Sequence, residues 1–234
     1  MAQINAPKTL SSPSRHDELR EDGLQTAALG ASAIFETYRT QILGGLVVLA
    51  LLIAAIVGYN MWRAGQQEQA QLALGSILNV YTEGNFETAL EGTDTAPGLL
   101  EIAEQYGATP TGEQATFFAA DALFQLGRTD EADAMFADYD GDGLLEASAL
   151  AGRAAIAEQR GEHADAAALY AEAASAYASP ATSPGYLLDA GRAYAEAGDA
   201  EASVAVLQQV VDEFPDAPEA LTAQTELGRV QAAQ

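Results

Sequence analysis

The sequence predicts an all-α protein: one membrane-spanning helix near the N-terminus, then a solenoid of helix pairs. Three observations carry this prediction. From Ile42 to Tyr59 the chain has neither a charge nor an amide. Glycines recur at near-constant spacing further on, each with small and large residues at matching offsets. Strand-like alternation is absent, while Ala is abundant and Gly, Asp and Asn punctuate helical patterns.

The apolar run extends to Met61. About twenty residues at about 1.5 Å each give roughly 30 Å of helix, the thickness of a bilayer's hydrocarbon core. A single run cannot close a barrel, so a helix is the one structure that satisfies its backbone in lipid. Phe35 and Tyr38 flank the run on one side, Tyr59 and Trp62 on the other, where aromatic rings sit at membrane interfaces. Arg39 and Arg63 bracket it and are placed to snorkel to the headgroups. The run begins too far into the chain for a cleaved signal peptide, and no small-residue cleavage site follows it. An uncleaved anchor is expected. It divides the chain into a tail (1–41), a transmembrane helix (42–61) and a soluble domain (62–234). Ala50, Ala54 and Gly58 fall on one face of the span and form a candidate surface for packing against another helix.

Charge sets the expected orientation. Lys8, Arg15, Arg20 and Arg39 lie in the tail, whereas from Ala64 onward there are five Arg, no Lys and 29 of the 34 acidic residues. Basic residues near a span stay on the cytoplasmic side, so the tail is expected inside and the domain outside. The net charge of −24 disfavours nucleic acid as a partner. The chain has no Cys, which excludes disulfides, thiolate metal sites and a Cys nucleophile.

Residues 1–16 are rich in Pro, Ser and polar side chains and are expected to be disordered. A weak helical pattern runs from Asp17 to Gln41. With no Pro between Ile42 and Asp94, the anchor helix is expected to continue past Gln66 to about Glu83. The repeat then begins. Gly127, Gly161 and Gly198 are separated by 34 and 37 residues. Five residues after each stand Ala132, Ala166 and Ser203; nine after stand Phe136, Tyr170 and Leu207; twelve after stand Tyr139, Ala173 and Val210. Seven before stand Ala120, Ala154 and Gly191. Small residues let the two helices of a hairpin touch, the large residue fills the space between hairpins, and glycine takes the left-handed turn.

This pattern resembles the tetratricopeptide repeat, whose period is 34. The copy from Pro184 to Ala217 carries the resemblance best: Gly191, Tyr194, Gly198, Leu207 and Pro215 stand at the family's small, aromatic, turn, large and terminal-proline positions. Leu187 replaces the first-helix Trp, and Ser203 replaces the usual Ala. The copy from Ala147 to Pro180 has Ala157 at the Tyr position, and that from Glu113 to about Gly143 has Leu123. A weaker unit surrounds Gly84 and Ala89, interrupted by Glu91 to Gly98. Pro218 to Gln234 is expected to form a capping helix. The predicted fold is therefore a tetratricopeptide-repeat α-solenoid of three regular repeats, one weak repeat and a cap.

Asp138, Asp140, Asp142 and Gly143 match the start of an EF-hand calcium loop, but Ala149 stands where a bidentate Glu is required. A turn is the expected reading, with a calcium-dependent sensor as an alternative function. His16 and His163 have no metal or catalytic companions in the sequence and are read as surface residues. With no phosphate loop, nucleophile elbow or zinc-protease motif, the chain is read as a non-enzyme without catalytic residues, metal or cofactor.

The order of tail, span and small acidic repeat domain resembles the ancillary SecYEG translocon subunit family of bacterial inner membranes. The tail-to-span passage Ile34-Phe-Glu-Thr-Tyr-Arg, the segment from Phe86 to Gly92 and that from Gly98 to Gly107 add to the likeness. The resemblance implies a chaperone-like adaptor with its domain in the periplasm, whose partners are the Sec translocon, a membrane-anchored periplasmic chaperone and exported polypeptides. A scaffold for another cell-envelope assembly machine is the alternative. In such arrays the first helix of each pair lines the concave face. This register places Phe117, Asp121 and Phe124, then Ala155 and Glu158, then Leu188 and Arg192 on a protein-binding groove, extended by Leu78 and Tyr81 if the weak unit stacks. One of the two Phe residues is expected to be packed rather than open.

Overall fold

A computed structural model describes the backbone of residues 15–233 and the side chains from Thr40 onward, Ile42 excepted. The expectations for residues 1–14 and for the His16 side chain lie outside the described residues. The chain divides between Met61 and Trp62 into two units.

The first helix, α1 (Arg15–Thr82), contains the apolar run and is long and apolar enough to cross a membrane. Leu46, Val47, Leu51, Ile53 and Ile56 are each more than half exposed, so the described residues bury none of them. Ala50, Ala54 and Gly58 are exposed, and a Cβ at Gly58 would meet nothing within 4 Å. α1 continues unbroken past Gln66, as the absence of Pro predicts, and ends at Thr82, one residue short of the expected Glu83.

The second unit opens with the end of α1 and α2 (Phe86–Glu91). Then come two short strands, β1 (Gly92–Thr93) and β2 (Ala96–Pro97), and α3 (Leu99–Tyr106). Three helix pairs follow: α4 (Pro110–Gln125) with α5 (Thr129–Asp138), α6 (Leu144–Gln159) with α7 (His163–Ala176), and α8 (Ser183–Glu196) with α9 (Ala200–Glu213). α10 (Pro218–Ala232) closes the array. The architecture is all-α and solenoidal.

The turns between paired helices are copies of one another. Gly84, Gly127, Gly161 and Gly198 have φ of 81°, 75°, 76° and 82°. Each donates its N–H to the carbonyl three residues back, and the next residue donates to the carbonyl five back, as in Gly127 to Phe124 and Arg128 to Leu123, both 2.9 Å. This is the Schellman helix stop, and glycine occupies its left-handed position without a Cβ penalty. The weak unit has the same turn as the regular ones, with Asn85 donating to Val80 at 3.2 Å.

Packing follows the repeat offsets. Ala89, Ala132, Ala166 and Ser203 are fully buried, as are Ala120 and Ala154 on the facing helices. Phe136, Tyr170 and Leu207 are buried, Phe136 facing Gly152 of the next pair and Leu207 facing Gly191 of its own. A Cβ at Gly191 would lie 2.6 Å from Leu207, and one at Gly152 would lie 2.6 Å from Phe136. Ser203 departs from the usual Ala without leaving an orphan hydroxyl, because it donates to the Gly191 carbonyl at 2.7 Å. The core consists of three successive clusters, centred on α1 to α6, on α6 to α8 and on α8 to α10. Each pair buries its apolar face on its neighbours, as in quasi-one-dimensional arrays.

The sequence reading missed one element, the β1–β2 ladder, in which Gly92 pairs with Pro97 and Thr93 with Ala96. It lies where the second helix of the weak unit breaks. A Cβ at Gly98 would stand 2.1 Å from the Leu90 carbonyl oxygen, so the backbone closes on itself there. Thr93 Oγ1 accepts from the Ala96 N–H at 3.0 Å and fixes the bend.

Candidate functional site

The candidate face is built from the first helix of each pair. The end of α1 is clamped to α4 at two levels. Gln67 donates to Thr111 Oγ1 at 2.7 Å and accepts from the Thr111 N–H at 3.2 Å. Further along, the Tyr81 hydroxyl donates to the Asp121 carboxylate. Burial, that hydrogen bond and the neighbouring charge all push the Tyr81 phenol up, so it stays a donor. The weak unit therefore stacks on the first regular pair, and Tyr81 joins Asp121 on one surface. Leu78, also read onto this extension, is half-buried against the same core.

The sequence-predicted residues separate into two groups. Glu158 and Arg192 are exposed, and Asp121, Phe124 and Ala155 are half-buried. Leu188 is only 6% exposed and belongs to the core between α8 and α10. Phe117, like Phe124, is half-buried against the first core cluster; its ring lies edge-on to Phe118 at 5.6 Å and against Phe136 of α5 and Tyr139 just beyond it at 5.9 and 6.1 Å. The accessible face is accordingly more polar than the expected apolar groove.

Carboxylates dominate its C-terminal half. Glu158 accepts from the Tyr170 hydroxyl at 3.0 Å, reached from α7. Asp189 lies beside Arg192, and burial, together with the charges of Glu158 and Glu219, outweighs the guanidinium and raises its carboxyl above the ordinary value. Arg192 lies 3.5 Å from Asp189 and 3.8 Å from Glu226 of α10, while Arg229 holds Glu226 at 2.7 Å. Asp189, Glu219, Glu226 and Arg229 are absent from the sequence-predicted site. A signal for three of them existed. Extending the 34-residue period beyond Gly198 puts Glu219, Thr222, Glu226 and Arg229 at the four groove positions of a further first helix. α10 is thus both a cap and a first-type helix: it buries Ala220, Ala223, Leu227 and Val230 inward and leaves Gln224, Thr225 and Gly228 in solvent.

A different network joins the second helix α5 to the first helix α6. Asp133 receives Arg153 at 3.2 Å and Arg160 at 2.7 Å, and Arg160 also reaches Asp130 at 2.6 Å. Burial opposes ionisation of Asp133, but the two guanidinium groups outweigh it and hold the carboxyl below its usual range. This network ties α5 to α6 beside a cleft of about 320 Å³ that also includes Glu172.

The Asp138–Asp142 loop connects α5 to α6. Among the described residues, no group of three or more His, Asp or Glu side chains converges to hold a metal ion. The Asp140 N–H instead donates to Glu113 at 3.0 Å, and the loop borders a cleft of about 460 Å³ with Arg63 and Tyr139. His163 opens α7, half-buried.

With this geometry in place, the comparisons with known proteins are informative about fold. The tetratricopeptide repeat family model matches residues 186–217, within the copy that keeps most of the repeat's signature positions. No curated protein matches the chain. Among solved structures, the chain is similar to the nearly identical TPR-like repeats of a Podosopora anserina protein described as a kinesin light chain. The identity is 18%, with 73% of this chain and 85% of that chain covered and a TM-score of 0.51. A point variant of the same protein gives the same values. The likeness at this identity is one of fold: a tetratricopeptide-type α-solenoid with one long apolar helix at the N-terminal side.

Proposed function

We propose that this protein is a membrane-anchored protein-binding adaptor whose first-helix face receives a segment of another protein. The observation that carries this reading is the continuity of that face. Tyr81 and Asp121, Ala155 and Glu158, Asp189 and Arg192, and Glu219 and Glu226 come from five successive first-type helices. A repeat solenoid offers such a surface to an extended or helical segment. The excess of carboxylates suits a segment that carries Lys or Arg. The exposed apolar run of α1 supports anchoring in a bilayer, and the Lys/Arg bias supports a cytoplasmic tail with the repeats in the periplasm.

Within that setting the proposed partners are the Sec translocon, a membrane-anchored periplasmic chaperone and newly exported polypeptides. Support comes from the order of tail, span and acidic repeats and from the resembling segments around Ile34 and Phe86. Two experiments test the proposal. Co-purification from gently solubilised membranes, read by mass spectrometry, should recover translocon subunits; reproducible recovery of a different envelope complex instead would refute that partner. A photo-crosslinking residue at Asp121 or Ala155 should give adducts, and one at Glu172 on the second helices should not. Strong adducts at Glu172 with none at the first two would refute the binding face while leaving the fold intact.

A further inference from the structure

Arginine is scarce in the repeat unit, and its placement is uneven. Arg128, Arg153, Arg160 and Arg229 each have a guanidinium nitrogen 2.6–3.2 Å from a carboxylate oxygen. Arg192 does not. It sits 3.5 Å from Asp189 and 3.8 Å from Glu226, outside ordinary charge-assisted hydrogen-bond range, with its side chain 43% exposed. Its two neighbours are not equally available. Glu226 already accepts from Arg229 at 2.7 Å, and Asp189 lies within the field of Glu158 and Glu219. The α6–α8–α10 face therefore presents four carboxylates to two arginines, and one of the two is loosely held.

We propose that Arg192 is a displaceable internal counter-ion: a lysine or arginine on a basic, extended segment of a partner protein takes its place between Asp189 and Glu226. This rests on the reading of the first-helix face as the binding face. Charge complementarity argues for this occupant. A partner cation adds to a surface short of positive charge, whereas an acidic segment would meet Glu158, Asp189, Glu219 and Glu226 together. Arg192 leaves at little loss, because its side chain extends into solvent and its two contacts are long. Its presence selects against segments without a cation at this point, since they cannot compensate Asp189 once Arg192 has moved.

The test uses the full chain in non-ionic detergent and a fluorescein-labelled peptide with lysine at every fourth position among Ser and Thr, residues that do not favour a helix. Binding is read by anisotropy. Arg192→Gln removes the competitor and should tighten binding about two- to fivefold, the reach of a partly exposed charge pair. Arg192→Lys should stay near wild type, and Asp189→Asn should weaken binding by a similar factor. Glu172→Gln, on the second-helix side, should leave affinity unchanged. Matching melting curves establish that the variants are folded. If Arg192→Gln binds no tighter while wild type binds and Asp189→Asn weakens, the displacement is overturned and the binding face survives. If Glu172→Gln weakens binding as much as Asp189→Asn, the attraction is diffuse, and both the displacement and the localised face are overturned. Absence of saturable binding by wild type and by Arg192→Gln overturns both as well.

Discussion

Gly191 and Gly228 allow the repeat register to be tested with one substitution at two places. Both lie inside helices, α8 and α10, so replacement by Ala brings the same intrinsic gain of about 0.5–1 kcal/mol at each. Their surroundings differ. A Cβ at Gly228 meets nothing within 4 Å, whereas one at Gly191 lies 2.6 Å from both Cγ and Cδ2 of Leu207. Leu207 is fully buried, so its side chain cannot swing out into solvent without losing that burial. Carbon atoms prefer about 3.5–4.0 Å, so either Leu207 leaves its rotamer or the helices part. Overpacking of this kind costs about 1–3 kcal/mol. The propensity gain cancels between the two variants, and the difference isolates packing. Gly191→Ala should therefore be less stable than Gly228→Ala by about 1–3 kcal/mol. For a domain of this size that separates the melting temperatures by about 2–12 °C. The measurement is thermal unfolding of the full chain in detergent, followed by far-ultraviolet circular dichroism. Equal melting temperatures, or a more stable Gly191→Ala, would refute the close approach of α8 and α9.

Ala166→Leu places a large side chain at the fully buried hairpin contact of α6 and α7 and should cost about 1–3 kcal/mol; an unchanged melting curve would contradict the register there. The Asp133 carboxyl titrates below its unfolded value because Arg160 and Arg153 overcome its burial. Its contribution to stability is present above about pH 4 and is lost as pH falls through the lower folded value. Asp133→Asn should therefore flatten the loss of melting temperature on acidification below about pH 4, and an equally steep loss in both proteins would count against the pairing. Under the proposed orientation, a reporter that is active only outside the cytoplasm should be active when fused after Gln234; a stable but inactive fusion would reverse the topology.

Local and periodic features were legible in the sequence because they depend on residues close together in the chain. A largely apolar run of about twenty residues defines a helix with the length of a bilayer core, whatever follows it. The glycine turns are equally local: the left-handed residue and the two hydrogen bonds that stop each helix lie within six residues, and Gly84, Gly127, Gly161 and Gly198 all take that form. The fixed offsets of Ala132, Ala166, Phe136 and Tyr170 mark the packed faces because a repeat repeats its neighbours as well as itself. Tertiary structure decided which groove residues stay accessible. Phe117 and Leu188 occupy first-helix positions that face the solvent in the repeat pattern, yet the Tyr139 and Phe136 rings pack on one and leave it half-buried, and the α8–α10 core takes the other. No offset within one repeat contains that information. It likewise required the docking of α10 to bring Glu226 up to Arg192, and the stacking of α1 on α4 to bring Tyr81 to Asp121. Charges on separate helices acquire partners only when the helices pack, so the turns and packed faces could be read along the chain, whereas the electrostatics of the binding face arose between its parts.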